Sequence, residues 1–192
     1  MFRRNTISKG GKYLSKKESA GILIYQLGQN PFHININGKK MREDLYLLGH
    51  YGGPFFEKKD LGTWTIPKGE IDDNEDIRDA ALRELKEETG YEIKEKENLL
   101  NLQSIKQKSG KIVYAWGFED KNKTDANTLK SNTVEIEYPH NSGKKITFPE
   151  MDKFEFFNYD DAIKKINISQ QPFLKKTREY LILKNLIDAK NL

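Results

Sequence analysis

Gly69-Glu70-Ile71-Asp72-Asp73-Asn74-Glu75-Asp76-Ile77-Arg78-Asp79-Ala80-Ala81-Leu82-Arg83-Glu84-Leu85-Lys86-Glu87-Glu88-Thr89-Gly90-Tyr91 is a glycine loop running into a helix that ends in a group of carboxylates. A helix advances about 100° per residue. With Ile77 set at zero, Ala80, Ala81 and Leu85 fall within about 80° of it and define the inward stripe. Glu84 and Glu88 lie on that same stripe, each about 20° from Ile77, and Glu87 flanks it near Ala80. Arg78, Asp79, Leu82 and Lys86 take the opposite side. Acidic helices ordinarily turn their carboxylates to water beside an i,i+4 cation, and Arg83 with Glu87 is such a pair. That leaves Glu84 and Glu88 unexplained. They continue a core stripe near a helix C-terminus, where the macrodipole disfavours anions. Three carboxylates at i, i+3 and i+4 raise one another's pKa unless a cation sits between them. Oxygen-only ligands favour hard cations, Mg²⁺ first and Mn²⁺ second. The stretch therefore predicts an inward-facing metal site of Glu84, Glu87 and Glu88.

The flanks fit such a helix. Asp73 or Asn74 can cap its N-terminus, and Glu75 and Asp76 suit its first turn. Gly90 stands where a left-handed C-cap is expected. Pro67 and Gly69 break regular structure ahead of it. The chain near Lys68 and Gly69 can then fold back over the carboxylates and offer the metal a backbone carbonyl, from Lys68 or from Gly69. A glycine there permits close approach of backbone to ligand.

These residues resemble the signature of the Nudix hydrolases. That pattern is Gly, five residues, Glu, seven residues, Arg-Glu, an aliphatic residue, any residue, Glu-Glu, any residue, Gly and an aliphatic residue. Gly69, Glu75, Arg83, Glu84, Leu85, Glu87, Glu88 and Gly90 match at the required spacing. Tyr91 departs from the aliphatic position, though tyrosine is a good strand residue. Gly52-Gly53-Pro54-Phe55-Phe56, Gly62-Thr63-Trp64-Thr65-Ile66-Pro67-Lys68-Gly69, Asn132 to Pro139, Phe148 to Asp152 and Gln171-Pro172-Phe173-Leu174 are similar to a microbial Nudix subgroup of predicted pyrophosphohydrolases. The likeness runs over residues 19 to 183.

The resemblance implies an α/β fold, the Nudix-type α/β/α sandwich with a mixed β-sheet. It implies water attack on a phosphorus in a diphosphate linkage of a nucleoside diphosphate derivative, whether a nucleotide or a dinucleoside polyphosphate. Glu84, Glu87 and Glu88 would hold Mg²⁺, with Mn²⁺ as substitute, and the ions would offset developing charge and lower the pKa of the attacking water. Arg83 would orient a catalytic glutamate, with Glu75 in support. The general base would be Glu84 or Glu87, or an acid outside the helix. Glu135 and Glu137 are candidates for the last role, because they alternate with Val134 and Ile136 and so share one strand face. Lys68, Trp64 and Phe55 are candidate substrate contacts, the rings because aromatic side chains stack bases; packing in the core or on its rim is the competing use of the rings. An RNA 5′-end pyrophosphohydrolase and a non-catalytic nucleotide-sensing module are the alternatives. Retention of all the signature carboxylates argues against the second. Dimers are common in the family, so a homodimer is an expectation.

Composition sets the outer bounds. The chain has 192 residues, 36% hydrophobic and 32% charged, which suits one domain with a real core and a polar surface. No apolar run is long enough to span a membrane, and the N-terminus lacks the apolar stretch of a signal peptide. With no cysteine there are no disulfides, zinc–thiolate sites or thiol catalysis, and a cytoplasmic location is expected. The net charge of +4 belongs to the N-terminal stretch: Arg3, Arg4, Lys9, Lys12, Lys16 and Lys17 are six cations with no acid among residues 1 to 17, and without them the remainder carries −2. Residues 1 to 18 thus form a basic lead-in ahead of a domain over 19 to 192, and that lead-in is the part that would contact RNA.

Patterning places the remaining elements. Ser19 to Gln26 and Leu45 to Gly49 are buried strands, with a loop or small hairpin through Asn37-Gly38 between them. Trp64-Thr65-Ile66 is a short strand delivering Pro67-Lys68-Gly69 to the site. Ile112 to Phe118 is a strand expected at the sheet centre. Val134 to Tyr138 and Lys153 to Phe157 are strands, with Asn141-Ser142-Gly143 a turn between them. Asp160 to Ile166 and Pro172 to Ile187 are helices. His33, His50 and His140 are isolated in sequence and have no metal-ligand spacing.

Overall fold

A computed structural model describes residues 18–28, 33–34, 40–184 and 187. The basic stretch 1–17, the Asn37-Gly38 turn and Leu186 lie outside the described residues. Along the chain run β1 (Glu18–Leu27), β2 (His33–Ile34), β3 (Lys40–Met41), β4 (Asp44–Tyr51), β5 (Trp64–Thr65), β6 (Lys68–Glu70) and α1 (Ile77–Thr89). They are followed by β7 (Leu100–Lys106), β8 (Ile112–Glu119), β9 (Thr133–Glu137), β10 (Lys145–Pro149), β11 (Met151–Asn158), α2 (Tyr159–Lys165) and α3 (Gln171–Leu183).

β1 is the organising strand. Its apolar run is buried on both faces: Ile22 and Ile24 point into one cluster, Leu23 and Tyr25 into the other. Such a strand needs neighbours on both edges and cover on both sides. The main sheet runs β11-β4-β1-β8-β7, with β5 added to β4 and β6 to β1. β1 pairs parallel with β8 and antiparallel with β4 and β6, so the sheet is mixed. α1 covers one face, packing Ala80, Ala81 and Leu85 on Ala20, Ile22 and Ile24. α2 and α3 cover the other, where Ala162, Phe173, Leu174 and Leu181 meet Leu23, Tyr46 and Leu48. The architecture is the α/β/α sandwich with a mixed sheet that the sequence implies. Among the described residues no helix is long and apolar enough to cross a membrane.

Several elements differ from expectation. The centre of the sheet is β1; β8 lies one place out, flanked by β7. β8 alternates buried with half-buried residues, the pattern of a strand that is less completely covered. β6 has no apolar residue to announce it and exists because it pairs with Ser19, Ala20 and Gly21. The alternation of β7 is interrupted by a bulge between Asn101 and Ser104, where Gln103 takes φ 65° and donates its N–H to Asn101 Oδ1 at 2.7 Å. α3 ends at Leu183, short of the expected Ile187, and buries Phe173, Leu174 and Leu181 as core.

Candidate functional site

α1 starts two or three residues later than its sequence suggests. Asp76 is the N-cap, and its Oδ1 accepts from the N–H groups of Arg78 at 2.9 Å and Asp79 at 3.2 Å. Asn74 does not cap, because it sits in the left-handed region at φ 66° within the turn that precedes the helix. Glu75 is drawn away to Arg83. The C-terminus is closed by Gly90 at φ 73°, whose N–H donates to the Lys86 carbonyl at 2.8 Å.

The arginine is the best-anchored side chain of the site. Its Nε and Nη2 donate to the two oxygens of Glu75 at 2.8 and 2.9 Å. Nη2 also donates to the Glu70 carbonyl at 3.0 Å, and Nη1 donates to Glu84 Oε1 at 2.7 Å and Glu87 Oε2 at 3.2 Å. A guanidinium has five N–H groups, so every one is used. Bonding to Arg83 holds Glu75 below the usual carboxylate range, and bonding to Glu75 raises Arg83.

Glu88 is 2% exposed, as the helical stripe requires. It accepts the N–H of Lys68 in β6 at 2.5 Å, so the contact made by Lys68 here is its amide rather than its carbonyl. Burial pushes Glu88 up to about 8; Lys68 opposes that shift, and the nearby Glu150 and Glu84 add to it. Glu84 is half-buried and is also raised, first by desolvation, with Arg83 opposing. Its carboxylate lies against Gly69 so closely that a Cβ there would stand 1.9 Å from Oε2 and 2.0 Å from Cδ. Gly69 is therefore the residue that lets β6 lie on the carboxylate. The Lys68 ammonium lies 5.8 Å from the centre of the Tyr51 ring. Desolvation lowers its pKa, but Tyr51, Glu88, Glu150 and Glu84 together leave it raised.

Two candidates from the sequence stand elsewhere. Glu135 and Glu137 do share a strand face, but it is the outer face of the β9–β10 hairpin. Both are exposed; Glu135 pairs with Lys145 at 2.7 Å and Glu137 accepts the Gly143 N–H at 2.7 Å. The inner face belongs to Val134, Ile136, Ile146 and Phe148, which decides the orientation. The acid brought near Glu84 and Glu88 is instead Glu150, at the junction of β10 and β11. Its carbonyl accepts the Gly52 N–H at 2.9 Å and its N–H donates to the Asn132 carbonyl at 3.0 Å. Its position in Phe148-Pro149-Glu150-Met151-Asp152 carries no periodic signal, and the family-like motif around it is its one mark in the sequence.

Trp64 is 2% exposed and belongs to the core. Its Nε1 donates to Asp60 Oδ1 at 2.9 Å, and its ring meets Phe157 at 4.8 Å and His50 at 5.2 Å between centroids. No face remains for a base. His50, isolated in sequence, is engaged by Asp152 at 2.7 Å and the Lys59 carbonyl at 2.8 Å, which ties the loop after β4 to β11. Phe55, by contrast, is 52% exposed.

The donor chemistry fits a hard cation: oxygen atoms alone, one of the carboxylates buried beside other acids, in a chain without cysteine. As the side chains stand, Glu84 and Glu87 both lean on Arg83, and among the described residues no three carboxylates are grouped at ligating spacing.

The fold has relatives among known proteins. The family model for the NUDIX domain matches residues 32–177, well over half of the chain. Family and fold are those of a hydrolase acting on phosphoric anhydrides. The chain belongs to the NUDIX domain family. Its fold is similar to that of the NUDIX domain of Shewanella oneidensis NrtR in complex with ADP ribose, with TM-score 0.55 and 13% identity over 88% of this chain and 90% of that one. A mutT/nudix family protein from Listeria innocua gives TM-score 0.54 and 16% identity over 88% and 96%. A C. elegans Ap4A hydrolase binary complex gives 0.51 and 23% over 85% and 98%. At these identities the likeness concerns the fold. No curated protein matches the sequence.

Proposed function

We propose that this protein hydrolyses the diphosphate linkage of nucleoside diphosphate derivatives in a Mg²⁺-dependent reaction. The observation that carries the reading is Glu88: a carboxylate 2% exposed, at the end of a helix and beside Glu84 and Glu150, needs a cation to be worth its desolvation. Glu84, Glu87 and Glu88 are the residues to hold Mg²⁺, or Mn²⁺ in its place, with a backbone carbonyl of Lys68 or Gly69 as a further oxygen donor. When bound, Mg²⁺ supplies charge neutralisation on the phosphate oxygens and a lowered pKa for water.

The protein's own part is positioning. The Glu75–Arg83 pair fixes the guanidinium, which in turn aims Glu84 and Glu87. Glu84 or Glu87 accepts the proton of the attacking water, and Glu150 is a third candidate for that proton. Lys68 contributes positive charge beside the departing phosphate. Nucleotides and dinucleoside polyphosphates are the substrate class, in keeping with the ADP ribose bound by one fold relative and the Ap4A in the name of another. An action on RNA ends would need the basic stretch 1–17, so deleting it would weaken RNA turnover and spare free nucleotides.

The test is phosphate release across nucleotides, dinucleoside polyphosphates, nucleotide sugars and capped RNA, with Mg²⁺ and with chelator. Release that requires Mg²⁺ and falls by orders of magnitude in Glu87→Gln is the expected result. Silence across the panel under Mg²⁺ and Mn²⁺ would overturn it.

A further inference from the structure

Phe55 and Tyr138 are two large aromatic side chains left in solvent, at 52% and 38% exposure, and they meet edge to face with centroids 5.2 Å apart. They come from separate elements. Phe55 sits in the turn after β4, and Tyr138 directly follows β9 in the hairpin. Both elements are fastened to the acidic site. The turn is bonded through the Gly52 N–H to the Glu150 carbonyl, and Phe55 is three residues further on, a reach of at most about 11 Å. The hairpin runs through β10 directly into Glu150 and lays Phe148 over the turn. A Cβ on Gly53 would stand 2.5 Å from that ring, so the two elements touch with no side chain between them.

Rings and lysines also pair along the chain that leads from β4 into this turn, and between that chain and β6. The Lys68 ammonium, next to Glu88 in the site, faces the Tyr51 ring; Tyr51 meets Phe56 at 5.2 Å; and the Lys59 ammonium stands 5.5 Å from the Phe56 centroid. Lysines interleaved with rings suit a ligand that is anionic at one end and flat and apolar at the other, because base–aromatic stacking works for any base and cations track phosphate. A dimer contact or a membrane surface would not account for the Lys68 ammonium beside the carboxylates.

We infer that Phe55 and Tyr138 form the nucleobase contact of the site, with the β9–β10 hairpin as its specificity-determining wall. This inference rests on the proposed function, and it names the end of the substrate that the acidic helix does not touch. The diphosphate lies over Lys68 and the carboxylates. The base lies outward against the exposed pair.

Equilibrium binding separates this from turnover. Calorimetric titration of the full chain in Mg²⁺ uses the α,β-methylene analogues of ADP, GDP and UDP as base-bearing probes and imidodiphosphate as the base-free one. Phe55→Ala and Tyr138→Ala should each weaken binding of the best nucleotide analogue by about five- to 150-fold, the range of one base stack. Imidodiphosphate should keep its Kd within about twofold, and Phe55→Trp should restore nucleotide binding, which a merely structural role would not do. Equal Kd for the nucleotide analogue in wild type and both alanine variants overturns the inference. So does a parallel loss for imidodiphosphate, and so does a wild-type protein that binds none of the three analogues. The phosphate-release panel reports separately on the reaction, so a protein that binds the analogues through these rings but releases nothing would sink the hydrolase reading alone.

Discussion

α1 and α3 are each 13 residues long and pack on opposite faces of the same sheet, yet they bury different things. α3 inserts Phe173, Leu174 and Leu181, and its buried Arg178 lies with its guanidinium 4.0 Å from the Tyr159 ring centre. α1 inserts Ala80, Ala81 and Leu85 and then Glu88. One helix supplies apolar volume; the other supplies small residues that bring it close to β1 and a carboxylate that the fold would be more stable without. The difference teaches that a helix can be buried for chemistry rather than for cohesion, and that the cost is then carried by the opposite face.

The comparison can be broken at several points. The largest effect is expected in Glu88→Gln. The amide still accepts the Lys68 N–H but brings no charge, so Mg²⁺-dependent turnover should fall on the order of a hundred- to a thousandfold, the scale of several kcal/mol in a transition state. Thermal stability should be kept or raised, and a variant that both unfolds and loses activity would show that α1 resembles α3 after all. Next comes Phe173→Ala, which empties a fully buried ring site on the other face. A loss of about 3–5 kcal/mol in denaturant unfolding is expected, with the folded fraction retaining its kcat.

A pH effect follows from Glu88. Burial pushes its pKa up to about 8 in the fold against 4.5 for a free glutamate, so the native state binds more protons than the unfolded state between those limits. Stability without divalent cation should therefore be fullest below about pH 4.5 as far as this group is concerned, and should decline as pH rises through 8. A Tm series in chelator should show that decline in wild type and a flatter profile in Glu88→Gln; parallel profiles would contradict it. The smallest change is Gly90→Ala, at φ 73° with open space around it, where strain alone acts. A loss of roughly 1–2 kcal/mol is expected from forcing a Cβ into the left-handed region.

What the sequence made legible was whatever lay within one helix. A period of 3.6 residues is enough to place Glu88 beside Leu85, and Gly90 is enough to end the helix. The strands with long apolar runs, β1 and β4, were equally plain. What stayed hidden needed partners from elsewhere. β6 is three polar residues that become a strand because β1 offers an edge. Glu135 and Glu137 do lie on one face, but alternation tells which residues share a face and not which face meets the protein. Glu150 arrives near Glu84 from the far end of the sheet order, through a hairpin whose docking on Gly53 is a tertiary event. Trp64, a plausible stacking ring in isolation, is claimed by Phe157 and His50.

Arg83 joins the loop at residues 70 and 75 to the helix at residues 84 and 87. Its five hydrogens reach a carbonyl at residue 70, two oxygens at residue 75, and one oxygen each at residues 84 and 87. Lysine has three hydrogens on a single nitrogen and no plane. Put in this place, it would leave at least two of those five bonds unmade and would have to choose between the loop and the helix. Position 83 is thus a fastening as much as a charge: its valence count, rather than its sign, is what ties the entry loop to the last turns of the acidic helix.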